Sequence, residues 1–155
     1  MKKIILAVLL AFAQPAFCAE TLTVTHGAVP APTLIDLGTV GDSVGDQRIW
    51  HFSGISQDNL TVMMDFIMTT TAQSSDPSGL DARMTDAVFS FGEATGDTLL
   101  IHGIGPYPKG GRTVKAASTL ERAVIGGTGK YAGARGTVLS THMADDSWHH
   151  LFKID

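Results

Sequence analysis

Residues 60–71 read Leu60-Thr61-Val62-Met63-Met64-Asp65-Phe66-Ile67-Met68-Thr69-Thr70-Thr71. At a period of two, Val62, Met64, Phe66 and Met68 share one face and Met63, Asp65, Ile67 and Thr69 share the other. The segment therefore reads as a strand with one fully apolar side and a single acid on its second side. A buried carboxylate at Asp65 would need a base or several hydrogen bonds, and Arg135 is the candidate partner. The alternative is that Asp65 faces solvent and the opposite face alone is core.

Working outward, short apolar and β-branched bursts alternate with Gly, Asp, Pro and Ser, and no segment keeps a helical period for three turns. Upstream lie Thr21–Thr25, a Val29-Pro30-Ala31-Pro32 interruption, Thr33–Leu37, a loop at Gly38–Gly45, and Arg48–Gly54 with Trp50 and Phe52 on one face. Downstream come Met84–Phe91, Thr98–Ile104, Thr113–Ile125, Ala134–Met143 and Trp148–Ile154; Lys115–Arg122 is alternatively a helical turn. Pro106–Gly111 and the glycines at 126–129 read as a loop and a turn. About eight strands with regular turn signals predict an all-β protein, a barrel or a sandwich, of which closure into a barrel removes exposed edges.

The amino terminus predicts export. Lys2 and Lys3 precede the apolar run Ile4–Ala13, which breaks at Gln14 and Pro15 before the small residues Ala16 and Ala19. Residues 1–19 thus have the layout of a cleaved signal peptide. A run of about ten residues is half the roughly 20 that a membrane-spanning helix needs, so no membrane insertion is expected. Cleavage after Cys18 or Ala19 removes the one cysteine; a lipidated Cys18 is the alternative, disfavoured by the bulky Phe17 before it. Residues 20–155 form one domain, without disulfide or thiol chemistry. The Lys-Lys leader is bacterial in style, which makes the destination periplasmic or extracellular. A net charge of −4 without a basic cluster leaves a nucleic-acid partner no electrostatic footprint.

Other chemistry-bearing patterns have plain explanations. Gly126-Gly127-Thr128-Gly129 lacks the lysine-serine pair and helix start of a phosphate loop. The histidines (His26, His51, His102, His142, His149, His150) have no metal-ligand spacing, so no metal is expected. The methionines suit core filling, or a cavity that adapts to flexible apolar ligands.

The run Ala123-Val124-Ile125-Gly126-Gly127-Thr128-Gly129-Lys130-Tyr131-Ala132-Gly133-Ala134-Arg135-Gly136 resembles the signature of plant dirigent proteins. Val44-Gly45-Asp46-Gln47 with Ser56-Gln57-Asp58-Asn59-Leu60 resembles the same family upstream. Gly96-Asp97-Thr98-Leu99 and Gly103-Ile104-Gly105-Pro106-Tyr107 are similar to the related allene oxide cyclases. The resemblance covers about residues 33–154. It implies an eight-stranded barrel, commonly a homotrimer, around an apolar cavity that steers cyclisation or coupling of a small apolar molecule, an isomerase-like role without a cofactor. It also points to Arg135 of the signature and to Asp36 as polar site residues. With Asp65, Met64 and Phe66 these make the candidate ligand site. Departures stand beside it: Gly27 follows His26 where the dirigent pattern has aspartate, Lys130 takes a position acidic in some members, and the cyclase cysteine and first-strand glutamate are absent. Whether the barrel is catalytic, a lipocalin-type carrier, or a structural or interaction module filled by its own side chains stays open on these residues.

Overall fold

The computed structural model describes residues 20–92 and 96–155; the leader with Cys18, and part of the expected turn at 92–97, lie outside them. The strands are β1 (Glu20–His26), β2 (Thr33–Ile35), β3 (Gln47–Ser56), β4 (Thr61–Ala72), β5 (Leu80–Phe91), β6 (Thr98–Pro108), β7 (Ser118–Thr128), β8 (Gly136–His142) and β9 (Trp148–Ile154), with one 3-10 turn at Gly129–Tyr131. Among the described residues no helix is long and apolar enough to cross a membrane.

Strands β3 to β9 form an antiparallel meander, β1 lies antiparallel on β9, and β1 closes the barrel on β3 through Val24↔Ser56 and Thr25↔Ile55. Eight strands close; β2 is the extra one and pairs farther along the same edge of β3, from Thr33↔Ile49 to Ile35↔Gln47. Between these two pairings the edge of β3 is spanned by the β1–β2 connection. There Trp50 donates its indole N–H to the Pro30 carbonyl at 2.9 Å.

Two expectations about local structure change. Pro106-Tyr107-Pro108 is strand, not loop, because β6 pairs with β5 up to Leu80↔Pro108 while its ladder to β7 covers only Thr98–His102. Prolines are tolerated where one strand edge carries no ladder. Thr113–Ala117 is loop, with Ala117 at φ 59°, and the strand starts at Ser118 and runs through Gly126 and Gly127 to Thr128, so the turn begins only at Gly129.

The barrel interior divides along its axis. In one half Val62, Met64, Phe89, Leu99, Val138 and Phe152 are all 0 % exposed, and Phe89 meets Phe152 edge-to-face at 5.0 Å. Burying each such side chain is worth about 1.5–3 kcal/mol, so this half supplies the packing that a disulfide-free domain needs. In the other half the buried residues include Arg48, Arg83, Arg122, His142 and His150. Antiparallel order explains the division: the N-terminal halves of β3, β5, β7 and β9 and the C-terminal halves of β1, β4, β6 and β8 meet at that end, and each contributes inward polar or aromatic residues. The long connections gather there as well. The β6–β7 connection covers the opening, with Val114 buried and its carbonyl bonded to His142 Nδ1 at 2.9 Å.

Candidate functional site

The residues singled out from sequence do not come together. Period two, with Val62, Met64, Phe66 and Met68 inward, turns Asp65 outward. There it lies 2.6 Å from His51 Nδ1 across the β3–β4 pair, not against Arg135. Arg135 is exposed in the β7–β8 connection, at the far end of the barrel from the polar half, and donates to the Ala134 carbonyl at 2.7 Å. Asp36 is exposed after β2, where it accepts from the Gly41 N–H at 3.0 Å. The pairing of Asp65 with Arg135 inside the barrel is thereby corrected. Met64 is sealed in the apolar half, and Phe66 alone of the five lines the cavity described next.

That cavity opens in the polar half and occupies about 420 Å³ including its mouth. Its walls are rings and aliphatic groups: Trp50, Phe52, Phe66, Met68, Val29 and Trp148. Trp148 is held by His142 stacked on it at 4.6 Å and an interplanar angle of 7°. Its polar members are Arg122, Tyr107, His26, His150, Ser140 and Thr113.

Arg122 is 5 % exposed and donates from Nη2 to the Tyr107 hydroxyl at 2.5 Å. The backbone makes room for it at Gly103, where a Cβ would come within 2.9 Å of the Arg122 Cγ. Behind Tyr107 lies Arg83, 0 % exposed, its Cζ 5.0 Å from the ring centroid and its Nη1 donating to the Gly111 carbonyl at 2.6 Å. Burial pushes the Arg83 guanidinium below the ordinary arginine range, and the neighbouring Arg48 adds to that. Arg48 itself is paired, with Asp42 at 2.8 Å and Thr70 at 3.1 Å. Among the described residues no carboxylate lies within 4.0 Å of Arg83 or Arg122.

Opposite Arg122 a chain of hydrogen bonds runs from Ser140 Oγ to His150 Nδ1 (2.9 Å), from His150 Nε2 to His26 Nε2 (3.1 Å), and from His26 Nδ1 to the Gly27 carbonyl (2.6 Å). The carbonyl can only accept, so His26 carries its proton on Nδ1 and accepts at Nε2. His150 then donates from Nε2 and accepts the Ser140 hydroxyl at Nδ1, an assignment that follows from the network. Desolvation holds His150 well below the usual histidine range, with His26 and Arg122 adding to the effect. His26 is lowered as well, again mainly by burial. Both rings are therefore neutral at pH 7. No group of three or more His, Cys, Asp or Glu among the described residues is placed to hold a metal ion.

These residues escaped the sequence reading for a simple reason. Arg83 keeps the parity of Ala87, Phe89 and Phe91, but a strand started at Met84 leaves it out. Arg122 shares the parity of Val124, and His150 that of Trp148, Phe152 and Ile154. Inward parity was the available signal.

Comparison with solved structures finds the same fold. Pyocyanin demethylase superposes with a TM-score of 0.61 at 21 % identity, covering 89 % of this chain and 100 % of that one. The pterocarpan synthase dirigent protein GePTS1 superposes with a TM-score of 0.56 at 17 % identity, covering 96 % of each. The resemblance to a dirigent protein thus holds at the level of the fold. No protein-family model and no curated protein sequence matches the chain.

The neutral histidines set a pH dependence. Below a pH of about 6.5 the unfolded chain binds protons at positions 26 and 150 that the folded protein resists, so stability is complete above that pH and is lost on acidification. Melting temperature should be level from about pH 7 to 8 and fall between about pH 6.5 and 5, as unfolding free energy drops by up to roughly 1.4 kcal/mol per pH unit for each histidine. His150→Gln should flatten the profile, read by calorimetry across that range. A native profile already flat to about pH 5 would show that both rings titrate normally.

Proposed function

We propose that this protein is an exported barrel that binds a small, largely apolar molecule in the polar half of its interior and steers that molecule's cyclisation or coupling. The observation that carries the proposal is the cavity itself, ring-lined walls converging on Arg122, Tyr107 and the His26–His150 pair, which is the usual make-up of a small-molecule site. Stacked walls would fix the conformation of a bound molecule, and restriction of that kind is a large share of what a steering protein supplies. The His26–His150 pair, with every ring nitrogen engaged, gives the bound molecule a fixed and uncharged polar wall. Of the two structures compared above, one is named for demethylation of pyocyanin and the other for pterocarpan synthesis. Both names support a reading in which this fold hosts small-molecule chemistry.

The chain has two tryptophans, Trp50 and Trp148, and both line the cavity. Titration with 2-naphthol should quench or shift their emission and raise the melting temperature; a ligand at about 100 times its Kd adds roughly 2.7 kcal/mol. Absence of both responses across a panel of lipophilic ring compounds would favour a barrel filled by its own side chains.

Export and self-association belong to the same proposal. Removal of residues 1–19 would leave a mature chain beginning near Glu20. The outer faces of β4 to β7 carry a strip of Ile67, Val88, Leu100 and Ile125 that a homotrimer would cover. Native mass spectrometry of the protein recovered from the periplasm or medium tests both. The expected result is a trimer of leader-free chains, and full-length monomers retained in the cell would refute both.

A further inference from the structure

Arg122 poses a problem that the protein alone does not solve. Its guanidinium is 5 % exposed, one nitrogen bonds a neutral phenol, and its Nε is buried with no acceptor. Arg83 behind it is fully buried with Nε and Nη2 likewise unpartnered, and the Thr85 hydroxyl is in the same condition. Arg48 differs, because Asp42 neutralises it. Asp81, the buried acid nearest Arg83, makes no ion pair with it and accepts from the Ser74 N–H at 3.1 Å. Among the described residues the polar half thus holds two guanidiniums with no carboxylate within 4.0 Å, Asp81 and Asp42 acting on Arg83 only from farther off. Leaving such a charge buried and uncompensated is strongly destabilising.

Of the two, Arg122 lines the cavity. The other wall offers no negative charge, since Ser140 is neutral and the network leaves His150 and His26 as neutral rings. An anion at Arg122 would share the cavity with Trp50, Phe52, Phe66 and Trp148. Those walls desolvate an apolar body well and a multiply charged one poorly.

We propose that the molecule bound in this cavity is an apolar monoanion, a ring compound bearing one carboxylate or phenolate group whose charged oxygen pairs with the Arg122 guanidinium from the cavity side. This deepens the proposed binding function and rests on it. Arginine suits the task because its fork stays charged at every relevant pH and bonds an anionic oxygen in its own plane. Tyr107, already fixed on Nη2, orients that plane, and Arg83 beneath the phenol ring adds positive potential. Neutral histidines leave the anion one cationic destination.

The test compares 2-naphthoate with its uncharged isostere 2-naphthamide at about pH 8, where histidine is neutral, by tryptophan fluorescence on the mature protein. Naphthoate should bind at least about tenfold more tightly, the scale of a charge-assisted hydrogen bond to a buried partner. Arg122→Met should bring the two within about twofold, and Arg122→Lys, which keeps charge but loses the fork, should fall between. The lysine variant serves as the decisive comparison if the methionine variant does not fold. A third arm with 2-naphthol, followed through its own ionisation, separates the two oxygen classes: tightening as the naphthol ionises selects phenolate, and unchanged weak binding beside tight naphthoate selects carboxylate. Naphthamide binding as tightly as naphthoate, or a preference that survives Arg122→Met, would overturn the inference while leaving the cavity's binding function standing. Failure of all three probes to bind overturns both.

Discussion

The arrangement of this barrel turns on a charge imbalance inside a closed wall. Two guanidiniums, Arg83 and Arg122, are buried with no carboxylate within 4.0 Å among the described residues, Asp81 and Asp42 acting on Arg83 only from farther off, and a small β domain cannot carry that cost unless the rest of its interior is well packed. Here the packing lies at the opposite end, where residues such as Phe89, Phe152, Met64 and Leu99 exclude solvent completely. One half of the barrel stabilises and the other half is free to be polar. Closure matters to both, because the β1–β3 pairing completes the wall around the interior and the Trp50–Pro30 bond ties the β1–β2 connection to the β3 edge.

The site follows from antiparallel geometry more than from any motif. Every second strand contributes its beginning and every other strand its end, so residues distant in sequence, from His26 on β1 to His150 on β9, meet in a single layer. The β6–β7 connection completes that layer by giving the Gly111 carbonyl to Arg83 and the Val114 carbonyl to His142. Fold resemblance to a demethylase and to a dirigent protein is compatible with such a site, yet none of the residues carried over from the dirigent signature takes part in it.

That contrast shows what the sequence could reveal. Strand period, turn residues and the Gly-Gly-Thr-Gly signature were enough to expect an eight-stranded antiparallel barrel. The inward side of β4 was readable because apolar residues occupy all of it. The candidate site was less readable, because attention went to Asp65, a charge on a strand whose other face was already sufficient as core. The informative charges were on faces where the alternation is mixed: Arg83 follows Asp81 and precedes Thr85, and a polar run of that kind resembles a loop until parity with Phe89 is traced through it. Arg135 was conspicuous by its motif, but the motif builds the turn at the closed end. A histidine pair formed across the β1–β9 ladder has no sequence spacing to betray it.

If the buried cations are kept for a ligand, removing one together with its phenol partner should relieve the free protein. The most direct measurement is the melting temperature of the ligand-free double variant Arg122→Met/Tyr107→Phe, in which neither partner is left orphaned. The account predicts that it melts several degrees above the native protein, equivalent to about 1–3 kcal/mol, while its tryptophan emission responds to 2-naphthoate at no lower concentration than to 2-naphthamide. A double variant that melts well below the native protein would contradict it, because the arginine would then be holding the fold together.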